Sequence, residues 1–142
     1  LLIIEAVREW IEACPLRDKT EPVLVDFLGE EAISYSIQPL PGTRIVKQYT
    51  DGGSMRAFSF AFEMQEVTET DISRISNSGF CEQFADYMEN ATKTGDLPEL
   101  GDGKRAVSIS SGSWGAMIAQ DAKTGTYQTI CTLKYYQERM NK

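Results

Sequence analysis

The amino-acid sequence predicts a single α+β domain over residues 1–142, a mainly antiparallel β-sheet with two helices packed on one face. Three observations point there. Leu1–Cys14 and Gly79–Thr94 repeat apolar residues at the 3.6-residue spacing of amphipathic helices. Other segments, most strictly Ser54–Val67 and Thr126–Gln137, alternate with the period of two of a half-buried strand. With 142 residues, 42% apolar and 25% charged, the chain suits one core that buries roughly two-thirds of its unfolded surface.

In the first helix Ile3, Ile4, Val7, Trp10, Ile11 and Cys14 share a stripe opposite Glu5, Arg8, Glu9 and Glu12. Pro15 ends it, because proline offers no N–H and disfavours helix at the residue before it. Val23–Leu28 reads as a short strand closed by Gly29. Ile33, Tyr35 and Ile37 alternate with Ser34, Ser36 and Gln38 in a half-buried strand that Pro39 and Pro41 end. A hairpin follows: Arg44–Thr50, a turn at Asp51-Gly52-Gly53, and a long arm from Ser54 to Val67 with Phe58, Phe60, Phe62 and Met64 on its core face. That arm is more than twice the usual strand of about five or six residues, so part of it is expected to project beyond the sheet.

Thr68 and Asp71 have capping-box spacing and open a helix with Ile72 and Ile75 inward, which Asn77-Ser78-Gly79 is expected to break or bend. In Gly79–Thr94, Phe80, Phe84, Tyr87, Met88 and Ala91 share one face, and Glu82, Asp86, Glu89 and Lys93 the other; Gly95 and Leu97-Pro98 stop it. Beyond the Gly101–Gly103 turn come strands at Ala106–Ser110 and Trp114–Ala119, a turn at Ala122–Gly125, and the final strand Thr126–Gln137. There Tyr127, Thr129, Cys131, Leu133 and Tyr135 face one way. The other face, with Ile130, Thr132 and Tyr136, is also partly apolar, which suits a central strand or one covered by another subunit.

Composition removes several chemistries. The chain has no histidine, so Ser-His-Asp and Cys-His catalysis and His-containing metal sites are excluded. Cys14, Cys81 and Cys131 stand 67 and 50 residues apart, form no C-x-x-C pair and read as buried structural thiols. Gly101-Asp102-Gly103-Lys104-Arg105 is no Walker A loop, since Pro98 replaces its first glycine and Arg105 its Ser or Thr. No catalytic, cofactor-binding or metal residues are assigned. The longest apolar run, Leu1–Ile4, falls far short of the roughly 20 residues that span a bilayer, so a soluble, intracellular protein without membrane contact is expected.

The net charge of −7 is the wrong sign for tight nucleic-acid binding. It is uneven: residues 1–62 carry −3, residues 63–102 carry −8 and residues 103–142 carry +4. The acidic middle reads either as a solvated helix face or as a surface that meets a basic partner or lets a polyanion pass.

Three blocks carry a family resemblance: Val25-Asp26-Phe27-Leu28-Gly29-Glu30 with Ser34-Tyr35-Ser36-Ile37; Asn77-Ser78-Gly79-Phe80 running into Phe84-Ala85-Asp86; and Tyr127-Gln128 through Leu133-Lys134-Tyr135-Tyr136. Across nearly the whole chain, including the Gly95–Pro98 turn, they resemble the tail terminator, or small minor capsid, family of phages and prophages of Gram-positive bacteria. The resemblance implies a tail-terminator-like α+β fold and a structural virion protein, not an enzyme, with no cofactor. Such proteins form a homo-oligomeric ring, usually a hexamer, on the head-proximal end of the tail tube. The ring halts tube polymerisation and joins the tail to the head.

The implied partners are the major tail tube protein and a head-completion or connector protein, with double-stranded DNA only passing through the lumen. The implied location is the virion neck, after synthesis in the bacterial host cytoplasm. Under this reading Glu82, Asp86 and Glu89 are the candidate acidic lumen face, with the outer rim as the alternative. Asp51, Gly52, Gly53, Ile130, Thr132 and Tyr136 are the candidate subunit or tube contacts. Contacts through sheet edges are expected, because strand addition satisfies unpaired backbone groups. Two alternatives stay open: a head-completion or connector protein of the same neck region, and a small-ligand-binding module or enzyme using carboxylates and tyrosines. The last would need a concave pocket holding a carboxylate with a perturbed pKa.

Overall fold

The computed structural model describes residues 2–16, 23–25, 34–42, 44–67, 71–112, 115–120 and 123–139. Along the chain these form α1 (Ile3–Glu12), β1 (Val23–Val25), β2 (Ser34–Pro39), β3 (Ile45–Gln48), β4 (Ser54–Val67), α2 (Asp71–Thr94), β5 (Lys104–Ser111), β6 (Ala116–Gln120) and β7 (Thr124–Gln137). The seven described strands make one mixed, mostly antiparallel sheet. Its spine is β4 against β7, antiparallel over their whole length from Ser54–Gln137 to Val67–Thr124. Each spine strand carries two shorter strands end to end along its other edge, β3 and β2 on β4, β5 and β6 on β7. β1 joins β2 in parallel.

The period-two pattern explains the core. Phe60, Phe62 and Met64 on β4, Tyr127, Cys131 and Leu133 on β7, and Tyr35 and Ile37 on β2 face one way and are buried. Both helices cover that face, with Val7, Trp10 and Ile11 of α1 and Phe84 and Met88 of α2 in the same cluster. Phe84 meets Phe62 at 4.7 Å between ring centres. Each such buried side chain contributes about 1.5–3 kcal/mol of apolar transfer free energy. Where α1 starts, the Glu5 carboxylate accepts the Leu2 N–H at 3.2 Å. The helix is tied to α2 by Trp10, whose indole N–H donates to the Asp96 carbonyl at 2.8 Å while its ring lies 5.4 Å from that of Tyr87. Gly95, at φ +80°, closes α2, and the N–H groups of Gly95 and Asp96 both donate to Ala91 O.

Several expectations need correction. α2 is one continuous 24-residue helix, unbroken at Asn77-Ser78-Gly79. A glycine inside a helix costs about 1 kcal/mol, less than the burial of Cys81, Phe84 and Met88 on the same helix returns. β4 sends out no arm, because β7 pairs with all of it. The long arm of the hairpin matches its expected span, whereas the first arm shortens to β3, with a bulge between Ile45 and Lys47. β7 begins at Thr124, two residues early, and Lys104 and Arg105 extend β5. β1 is described only as Val23–Val25, β2 starts at Ser34 and β6 at Ala116; Phe27, Leu28, Ile33, Thr68 and Trp114 lie outside the described residues, as do the side chains of Ile72 and Ile75.

Candidate assembly surfaces

The face of the sheet turned away from the helices is laid out by the strand register. Its first row, at the β3–β4 turn, reads Lys47, Met55, Tyr136 and Arg105 across β3, β4, β7 and β5. The next rows are Ala57, Lys134, Ser108 and then Ser59, Thr132, Ser110; Ala61 pairs with Ile130 beyond them, and Ser36, Glu63 and Gln128 follow. Small and hydroxyl side chains fill the middle of this face, cations mark one end, and a carboxyl marks the other.

At the cationic end the turn residues and Tyr136 come together. Asp51 Oδ1 accepts the Gly53 N–H at 2.8 Å, and Asp51 Oδ2 accepts the Tyr136 hydroxyl at 3.3 Å. A side chain at position 53 would collide with the Tyr136 phenol, so glycine is what lets the ring lie on the turn. Gly52 takes φ +92° and backs onto Arg139. Partial burial, then the Asp51 charge and hydrogen bond, push the Tyr136 phenol above its ordinary pKa. Three residues absent from the sequence-derived set join this cluster. Tyr49 packs its ring 5.9 Å from that of Tyr136, and Lys47 lies over Tyr49 at 5.3 Å while Arg105 lies over Tyr136 at 5.7 Å. Thr132 and Ile130 share the face but stand further along β7, with Ile130 exposed.

Glu82, Asp86 and Glu89 stand exposed on α2, turned away from the helix's buried side at Phe84 and Met88. Glu89 meets Lys93 at 3.5 Å in a solvent-exposed pair, an interaction of little energetic weight. Asp86, Glu89, Thr92 and Lys93 line an open groove of about 300 Å³ with Ser108 and Ser110 of β5. Within it Thr92 Oγ1 accepts the Ile109 N–H at 3.0 Å and lies 2.8 Å from the Ile109 carbonyl, to which it can donate. α2 thereby closes the edge of β5 at Ile109.

No described element closes β6 on the side away from β7. All five of its residues, Ala-Met-Ile-Ala-Gln, are exposed and uncharged, with Ile118 52% accessible. Natural edge strands are commonly guarded by charge, proline or bulges; β6 has only a bulge between Met117 and Ala119.

Glu63 is buried on the outer face, and its Oε1, like the hydroxyls of Ser34 and Ser36, finds no hydrogen-bond partner among the described residues. Burial pushes the Glu63 carboxyl up. It is not among the residues that line the groove between α2 and β5. Among the described residues no three Cys, Asp or Glu gather closely enough to hold a metal ion, and no helix is long and apolar enough to cross a membrane. The three cysteines are buried, and burial raises the thiols of Cys81 and Cys131. No protein-family profile matches the chain, and no curated protein matches it significantly.

Proposed function

We propose that this chain is a structural virion protein, a phage tail terminator that forms a ring, hexameric by the family resemblance, at the head-proximal end of the tail tube. In that role it stops tube polymerisation and joins the tail to the head connector. The observation that carries the reading is β6, an uncharged edge with all five residues exposed. Such an edge is an assembly device, because a neighbour's strand satisfies its unpaired N–H and C=O groups. The small-residue outer face of the sheet, with Asp51, Gly53 and Tyr136 joined at one end, gives a second surface of the flat kind that packs against another protein.

The test is electron microscopy of phage or prophage particles made with and without this gene product. Tails of irregular, excessive length and lacking heads are expected on depletion. Tails of normal length beside heads that leak DNA would instead move the protein to the connector side of the neck.

A further inference from the structure

The two charged surfaces belong to different layers, one on α2 and one on the sheet face that α2 does not cover. On α2, Glu82, Asp86 and Glu89 follow at i, i+4 and i+7, an acidic stripe about 10 Å long at 1.5 Å per residue. Phe84 and Met88 of the same helix are buried beneath it against the sheet. Across the sheet, the outer face presents Lys47 and Arg105 at the two ends of one four-strand row and Lys134 in the next row. With strands about 4.8 Å apart and alternate residues about 7 Å apart, these cations outline a patch about 14 Å by 7 Å.

The side chains within that patch, Met55, Ala57 and Ser108, are uncharged, and Lys47 and Arg105 are steadied over Tyr49 and Tyr136. The Asp51 carboxylate beside the patch is held by the Tyr136 hydroxyl and the Gly53 N–H. A helix laid on this end of the sheet can bring its acidic stripe onto all three cations. No single copy can do so with its own helix, because the two surfaces face opposite ways.

Resting on the ring-forming reading, we infer that the exposed acidic side of α2 in one copy docks on the Lys47–Arg105–Lys134 end of the outer sheet face of the next copy. The contact is heterologous, each copy giving its helix to one neighbour and its sheet to the other, the arrangement that closes rings when repeated. It assigns the acidic stripe to the joint between subunits and not to the lumen. The sign and spacing of the two patches also set their direction, since helix against helix or sheet against sheet would oppose like charges.

The test uses the purified full chain, sedimentation across a concentration series, and zero-length carbodiimide cross-linking read by mass spectrometry. Three variants are compared with the native chain: E82K/D86K/E89K, K47E/R105E/K134E, and the two sets combined. Circular dichroism checks folding, and the neutral set E82Q/D86N/E89Q replaces the acidic reversal if that variant does not fold. Each reversal alone is expected to weaken self-association by about tenfold or more, and the combined variant to restore it. Cross-links are expected between Glu82, Asp86 or Glu89 of one copy and Lys47 or Lys134 of another.

An oligomer that survives both single reversals, or a combined variant no better than either, overturns the inference while the ring reading stands. A chain that stays monomeric throughout also overturns it, leaving the ring reading to the tail-length experiment. Binding of double-stranded DNA that is lost in K47E/R105E/K134E without any change in self-association would show the basic patch to be a DNA surface, and equally overturns the inference.

Discussion

Thr92→Val tests how the fold closes its β5 edge. The substitution keeps the shape of the side chain and deletes one hydroxyl, whose oxygen accepts the Ile109 N–H at 3.0 Å and stands 2.8 Å from the Ile109 carbonyl. Ile109 is fully buried, so valine strands one backbone donor and one acceptor that β7, on the other side of β5, does not serve. An unsatisfied buried group costs about 1–3 kcal/mol, and the open groove beside Thr92 admits water to part of the site, which places the sum near 2 kcal/mol. At an unfolding entropy of about 2.1 cal/mol/K per residue, a chain this long loses roughly 7 °C in Tm.

Thermal unfolding followed by circular dichroism measures the loss, and amide exchange at Ile109 should accelerate in the same variant. Thr92→Ser keeps the hydroxyl and should fall within about 2 °C of the native chain. A valine variant as stable as the native protein, or a serine variant as damaged as the valine one, would refute this account of the edge.

Glu63 has its pKa raised by burial, so the folded chain holds that proton more tightly than the unfolded one. Its contribution is therefore most favourable at low pH and is lost as pH rises from about 4.5 through the raised folded value. Glu63→Gln should be more stable than the native chain at pH 7 and lose that difference by pH 4, as chemical denaturation at both pH values would reveal. At Gly115 an added Cβ would lie 2.5 Å from Cys81 Cβ and 2.6 Å from Thr129 Oγ1, so Gly115→Ala should cost about 1–3 kcal/mol, read as a lower urea midpoint. Cys14, Cys81 and Cys131 should resist a thiol reagent in the native protein and all react in denaturant; rapid native labelling of any of them would contradict their burial.

What the sequence revealed depended on how local the cause was. The long strand Ser54–Val67 was legible to the residue, because alternation along a single strand records which face is dry. The break assigned to Asn77-Ser78-Gly79 failed because turn propensity is local, whereas the continuation of α2 is held by Cys81, Phe84 and Met88 packing against strands far away in sequence. Trp114–Ala119 looked like an ordinary apolar strand, and nothing in its composition distinguishes the exposed edge that β6 occupies from an interior position. Glu63 read as one of the polar residues opposite the Phe row, yet it is buried beside Ser36, its partner across β2 and β4. The row Lys47, Met55, Tyr136 and Arg105 joins four strands from distant parts of the chain, so only the register reveals it. Asp51, Gly53 and Tyr136 were visible as suspects because the turn heads the long strand and Tyr136 stands on the partly apolar second face of the last strand.

The two flanks of the spine are treated differently, and on the ring-forming reading proposed above the difference bears on when copies assemble. β5 is sealed by Thr92, while β6 is left with neither charge nor proline and with a single bulge. Such an edge invites uncontrolled pairing, but a net charge of −7 makes free copies repel one another at a distance. In the proposed docking, close approach reverses the sign locally, because the acidic side of α2 meets the cations of the outer sheet face only at contact range. At physiological salt the Debye length is about 8 Å, so the long-range repulsion fades while a desolvated contact between those patches keeps most of its strength. Under the docking proposed above, repulsion at range with attraction in one orientation selects ordered association over clumping and leaves β6 for a neighbour already brought into register.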